Sequence, residues 1–149
     1  NDRSSSFNLF DELKIFGGFE GNETHLNQRD IAAHPTILSG DLDQNDAGGA
    51  PSGSNAFRVL RSATGDSPSI SIDGVTIEQG LANDTGVNHS GAGLYLAGGS
   101  LSLTDCTFRN NIAGSRGGGL SSDSNESTLI RCVFINNNTT GIGDNTGGG

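Results

Sequence analysis

The side chains best suited to chemistry sit in one polar stretch, Asp41-Leu42-Asp43-Gln44-Asn45-Asp46. Asp41, Asp43 and Asn45 place oxygen donors at alternate positions, and Asp46 adds a further carboxylate. Calcium takes about 6–8 oxygen ligands, and alternating donors open the loop of an EF-hand. The rest of that loop is missing, because the sixth position is Asp46 where the loop needs glycine and the twelfth is Ser52 where it needs glutamate. Two readings stand: a calcium site, or an acidic turn whose side chains cap loop backbone. Arg58 and Arg61 follow directly and can approach the acids; the competing reading makes them surface or ladder arginines that offset an acidic surface. His25, His34 and His89 lack metal-ligand spacing, and no nucleophile elbow offers a serine. No residue is assigned a catalytic role.

Such side chains act only if the surrounding elements hold them, and internal repeats describe those elements. Leu103-Thr104-Asp105-Cys106-Thr107-Phe108-Arg109-Asn110-Asn111 and Leu129-Ile130-Arg131-Cys132-Val133-Phe134-Ile135-Asn136-Asn137 share five identities in nine positions, 26 residues apart. Ile72 to Gly80 fits the same apolar frame at an offset of 31. Gly91-Ala92-Gly93-Leu94 and Gly117-Gly118-Gly119-Leu120 precede the later copies, and Gly147-Gly148-Gly149 starts another. Within a period, Leu94-Tyr95-Leu96, Leu101-Ser102-Leu103 and Cys106-Thr107-Phe108 alternate at period two, the mark of half-buried strands. Three short strands per repeat must pair with the same strands of the next repeat. The expectation is an all-β, right-handed parallel β-helix of about five coils of three short strands, with side chains stacked about 4.8 Å apart. Its hand follows from the rule for parallel crossovers.

Definite ladders follow. Inward columns hold Ile72, Leu103 and Leu129; Val75, Cys106 and Cys132; and Ile77, Phe108 and Phe134. Outward, Glu78 meets Arg109 and Asp105 meets Arg131, pairs that favour this register. Asn110 over Asn136 and Asn111 over Asn137 form amide ladders at a corner. Strand spacing brings Cys106 and Cys132 within disulfide range, but parallel Cβ vectors disfavour the bond, so two small buried thiols are the favoured reading over a disulfide.

The chain has 149 residues, 32% hydrophobic, with 24 glycines and a net charge of −9. Its length suits one domain: residues 1–56 form irregular first coils with a long loop over 40–55, and 57–149 form regular repeats of about 26–31 residues with the last coil incomplete. Residues 24–33 hold the sole candidate helical turn, ended by Pro35. Eight basic residues against seventeen acidic ones argue against nucleic acid as a partner. No stretch approaches the roughly 18 apolar residues of a membrane-spanning helix, so direct membrane insertion is not expected.

The run Gly17-Gly18-Phe19-Glu20-Gly21-Asn22-Glu23-Thr24, then Gln28-Arg29-Asp30 and Pro35 to Asp43, resembles secreted bacterial right-handed parallel β-helix proteins. The Gly-Gly-Gly-Leu and Leu-Thr-Asp-Cys-Thr-Phe-Arg-Asn-Asn repeats are similar to those of the polymorphic outer-membrane-protein type. This resemblance, spanning about Phe7 to Gly149, implies a pectate-lyase-like fold in an extracellular or cell-surface protein with adhesive or structural roles. Polysaccharide lyases of this fold use calcium-binding acids with a nearby basic residue, so a lyase or glycan-binding domain is an alternative, with glycans as partners. The expected function is a non-catalytic structural or adhesive module. Solenoid ends need covering, and the polar segment from Thr139 to Gly149 offers no cap. Either other segments of a larger surface protein follow, or copies stack head-to-tail into a filament.

Overall fold

A computed structural model describes residues 2–141 except 48, 64, 85, 87, 88 and 125. Gly147-Gly148-Gly149 and the end of the polar tail lie outside the described residues.

Among the described residues fifteen short strands, numbered in chain order, stack in parallel as four sheets. The first sheet joins β1 (Phe7–Leu9), β4 (Leu60–Ser62), β8 (Leu94–Leu96) and β12 (Leu120–Ser122). The second joins β2 (Lys14–Phe16), β5 (Ser69–Asp73), β9 (Ser100–Thr104) and β13 (Glu126–Ile130). The third joins β3 (Thr36–Ser39), β6 (Val75–Glu78), β10 (Thr107–Arg109) and β14 (Val133–Ile135). Each sheet takes one strand from every coil, so the chain is a parallel β-helix. A fourth sheet holds the two-residue strands β7 (Leu81–Ala82), β11 (Ile112–Ala113) and β15 (Asn138–Thr139). The described residues thus make four coils, the later three with four strands each, where the sequence suggests about five coils of three. Residues 7–39 fill a single coil because the segment around 17–35 loops outside the strand stack, as residues 40–55 do before β4, and a two-residue strand is too short to show alternation.

Apolar residues at every second position produce this stack. In β9, Leu101 and Leu103 are buried while Ser100, Ser102 and Thr104 are not. Leu103 pairs with Ile72 on one side and Leu129 on the other, and Phe108 with Ile77 and Phe134. The Phe108 and Phe134 rings stack 4.9 Å apart at 3°. Burying such side chains contributes about 1.5–3 kcal/mol each. Leu129 and Phe134 belong to the last coil and stay 43% and 36% exposed.

Corners repeat as faithfully as strands. Gly74, Asp105 and Arg131, each linking the second sheet to the third, share positive φ of 74°, 50° and 51°. Gln79, Asn110 and Asn136 do the same at the next corner, with φ of 61°, 54° and 54°. Glycine, Asp and Asn adopt this conformation at least cost. The candidate helix over 24–33 shrinks to one 3-10 turn, Leu26–Gln28. Asp30 then caps the amides of Ala32 and Ala33. The strand β4 begins at Leu60, because the amides of Ala56 and Phe57 just before it bond to the carbonyls of Gly40 and Arg3.

Candidate functional site

The long loop closes at its base through an antiparallel bridge between Asp41 and Asn55 and a 2.7 Å bond from the Ala56 amide to the Gly40 carbonyl. Its acids turn to backbone. Asp41 accepts the amides of Asn45 and Asp46 at 3.2 and 3.1 Å. Asp43 accepts the Ser54 amide and the Asn45 side-chain amide. Asp46, almost buried, accepts the Ser52 amide and hydroxyl on Oδ1 and the Asn55 side-chain amide at 2.6 Å on Oδ2. Partial desolvation pushes the Asp41 carboxyl upward, but the amides of Asp46, Asn45 and Gln44 outweigh it and hold the group below its ordinary value.

Asp41, Asp43, Asn45 and Asp46 are thus each engaged in contacts within the loop. Among the described residues no group of three or more His, Cys, Asp and Glu could hold a metal ion. The loop's side chains cap its own backbone. Asn55 and Gln79 pin it to the coil: the Asn55 amide donates to the Gln79 carbonyl at 2.8 Å and the Gln79 amide donates to the Gly49 carbonyl at 2.9 Å. Asn55 Oδ1 and Gln79 Oε1 are buried with no protein donor.

Neither arginine after the loop joins the acids. The Arg58 guanidinium lies 4.0 Å from the Tyr95 ring centroid and donates to the Ser90 carbonyl, and burial lowers its pKa below the usual value. Arg61 donates to Asn8 across neighbouring strands. These are ladder arginines.

The polar columns, by contrast, form as the repeats imply. Arg109 reaches Glu78 at 2.5 Å. Arg131 grips Asp105 through both Nε and an Nη at 2.6 Å, holding the Asp105 carboxyl below its usual range. The buried Asn111 side chain donates to the Ile77 carbonyl and to Asn137 Oδ1, both at 3.0 Å, and accepts the Gly80 amide at 2.9 Å. Asn137 repeats the motif one coil on, donating to the Phe108 carbonyl at 2.8 Å. Asn110 and Asn136 share a left-handed backbone conformation at equivalent corners. Cys106 and Cys132 are free thiols, each directed at carbonyls of its own and the adjacent coil.

Sequence reasoning missed the most enclosed ion pair among the described residues, Arg29 with Asp73 at 2.6 Å, with side chains 14% and 18% exposed. It also missed Arg3, which bonds to Asn55, Leu81 and Asn83 and lies over Phe57. Both arginines come from the irregular first third, where no repeat gives a register. Comparison with protein-family models, curated proteins and solved structures finds no match for the chain.

Proposed function

We propose that this chain is a non-catalytic structural module of an extracellular or cell-surface protein, a stiff β-helical segment that presents repeated strand faces for adhesion. One observation carries the reading: the residue types that catalysis would draw on are spent joining coil to coil. Glu78–Arg109, Asp105–Arg131, Arg29–Asp73 and the Asn111–Asn137 amides all bridge adjacent coils. The acids of the 40–55 loop are likewise engaged in holding that loop's own backbone. The outside location rests on the resemblance of the repeats to those of secreted β-helix proteins.

Two assays test the reading. An antibody raised against the chain should label intact, unpermeabilised cells of the producing organism; labelling only after permeabilisation would contradict an external location. Incubation with polygalacturonate or alginate, with and without calcium, should release no unsaturated uronides. Release that disappears in Arg58→Ala would overturn the non-catalytic role.

A further inference from the structure

Asn-x-Ser/Thr triplets begin at Asn22, Asn83, Asn88, Asn125, Asn137 and Asn138. In secreted proteins such triplets accept N-linked sugar where they lie on surface loops. Asn88 and Asn125 are outside the described residues. The fold treats the other four differently.

Three are held by coil-to-coil contacts. Asn137 donates its side-chain amide to the Phe108 carbonyl at 2.8 Å and accepts from Asn111 on Oδ1. Asn138 lies in β15, in register with Ile112, its backbone amide bonded to the Asn111 carbonyl. Asn83 accepts the Arg3 guanidinium on Oδ1 at 2.7 Å.

Asn22 and Thr24 are instead exposed, in a segment outside every strand. At Gly21, with φ of 109°, a Cβ would meet nothing within 4 Å. Side chains hold the turn: the Glu23 carboxylate accepts the amides of Glu20 and Gly21 at 2.7 and 2.9 Å, and Gln28 Oε1 accepts the Thr24 amide at 2.8 Å. Asn22 Nδ2 donates to Glu20 Oε2 at 3.1 Å, a contact between two exposed side chains. The segment is anchored on the flank of the second coil, where Arg29 pairs with Asp73 and Ile31 lies over Gly74. The triplet thus belongs to the side of the solenoid and not to a strand edge.

We propose that Asn22 is an N-glycosylation site, accessible in the folded chain where Asn83, Asn137 and Asn138 are not. The donor is a polyprenyl-diphosphate-linked oligosaccharide. Asn22 Nδ2 bonds to the anomeric carbon, the bond from that carbon to the diphosphate oxygen breaks, polyprenyl diphosphate leaves, and one amide proton passes to a base of the transferase. A transferase must draw the triplet into its own cleft, so a triplet tied into strand or ladder hydrogen bonds reacts only after local opening. The proposal rests on the reading of the chain as an exported protein, because these transferases act on exported chains.

The test incubates the folded chain with that donor and a purified single-subunit oligosaccharyltransferase that reads Asn-x-Ser/Thr. Transfer is followed by intact mass and peptide mapping. Synthetic peptides centred on Asn22, Asn83 and Asn138 serve as unfolded references. Asn22 in the folded chain should react within a few-fold of its peptide, whereas Asn83 and Asn138 should lag theirs by roughly tenfold or more. Thr24→Val, checked for fold by circular dichroism, should abolish transfer at Asn22, and Thr24→Ser should keep it. No transfer to Asn22 in chain or peptide, a folded-chain Asn22 that lags its peptide tenfold, Asn83 or Asn138 reacting as fast as their peptides, or transfer surviving Thr24→Val would each overturn the proposal. Transfer can fail while antibody labels intact cells, and labelling can fail while transfer succeeds, so the two readings fall separately.

Discussion

Asn110 and Asn111 are adjacent, yet the fold uses different properties of each. Asn110 supplies a φ of 54° at a corner; Asn111 supplies three buried hydrogen bonds. Removing one partner from a buried set costs about 1–3 kcal/mol, because the remaining groups lose their bonds without regaining water. Asn111→Ala should therefore destabilise by that amount in urea denaturation, whereas Asn110→Gly, which keeps the left-handed conformation accessible, should stay within about 0.5 kcal/mol. Equal losses would contradict the division. The cysteines divide similarly. Burial pushes the Cys106 thiol up to about 11 from an ordinary 9.0, while Cys132 lies on the less covered last coil. A thiol reagent at neutral pH should label Cys132 well before Cys106. Since the folded Cys106 value lies above the unfolded one, its contribution is complete below pH 9.0 and declines as pH rises to about 11. Chemical denaturation at stepped alkaline pH, compared with Cys106→Ala, reads that decline.

Strands were legible where the sequence alternates and repeats. The offsets of 31 and 26 residues fix which residues face across adjacent coils, the first pairing Glu78 with Arg109 and the second Asp105 with Arg131. Their register is testable by a charge-reversal cycle. Glu78→Arg alone sets two arginines together, and Arg109→Glu alone sets two glutamates together. The double reversal restores attraction and should be more stable than the sum of the single losses by about 0.2–1 kcal/mol, shrinking with added salt. Losses that simply add would contradict the pairing. Other elements gave no such signal. Leu81–Ala82 and its stacked equivalents are too short to alternate, which hid the fourth sheet. Arg29 finds Asp73 across 44 positions, through a loop whose path no local pattern specifies. In the 40–55 loop, alternating oxygens suit a cation and a capped turn equally; only the directions of the amides separate the two.

At the scale of the molecule, one device accounts for strands, corners and polar columns alike: identical positions stack coil upon coil. Buried Ile72 and Leu103, left-handed Gly74 and Asp105, and the paired Glu78 and Arg109 occupy three kinds of column in one register. Phe16, Ile37, Ile130 and Val133 place exposed apolar side chains in two outward columns on the first and last described coils. The most direct measurement of this register uses nitroxides on the outward column Thr76, Thr107 and Val133, in a chain carrying Cys106→Ala and Cys132→Ala. Labels at Thr76 with Thr107, and at Thr107 with Val133, sit on directly paired residues. At an interstrand spacing of about 4.8 Å, both pairs should show strong spin–spin broadening in continuous-wave spectra. Labels at Thr76 with Val133, two coils apart, should show much less. Equal broadening for all three pairs, or none for the adjacent ones, would contradict a parallel, in-register solenoid.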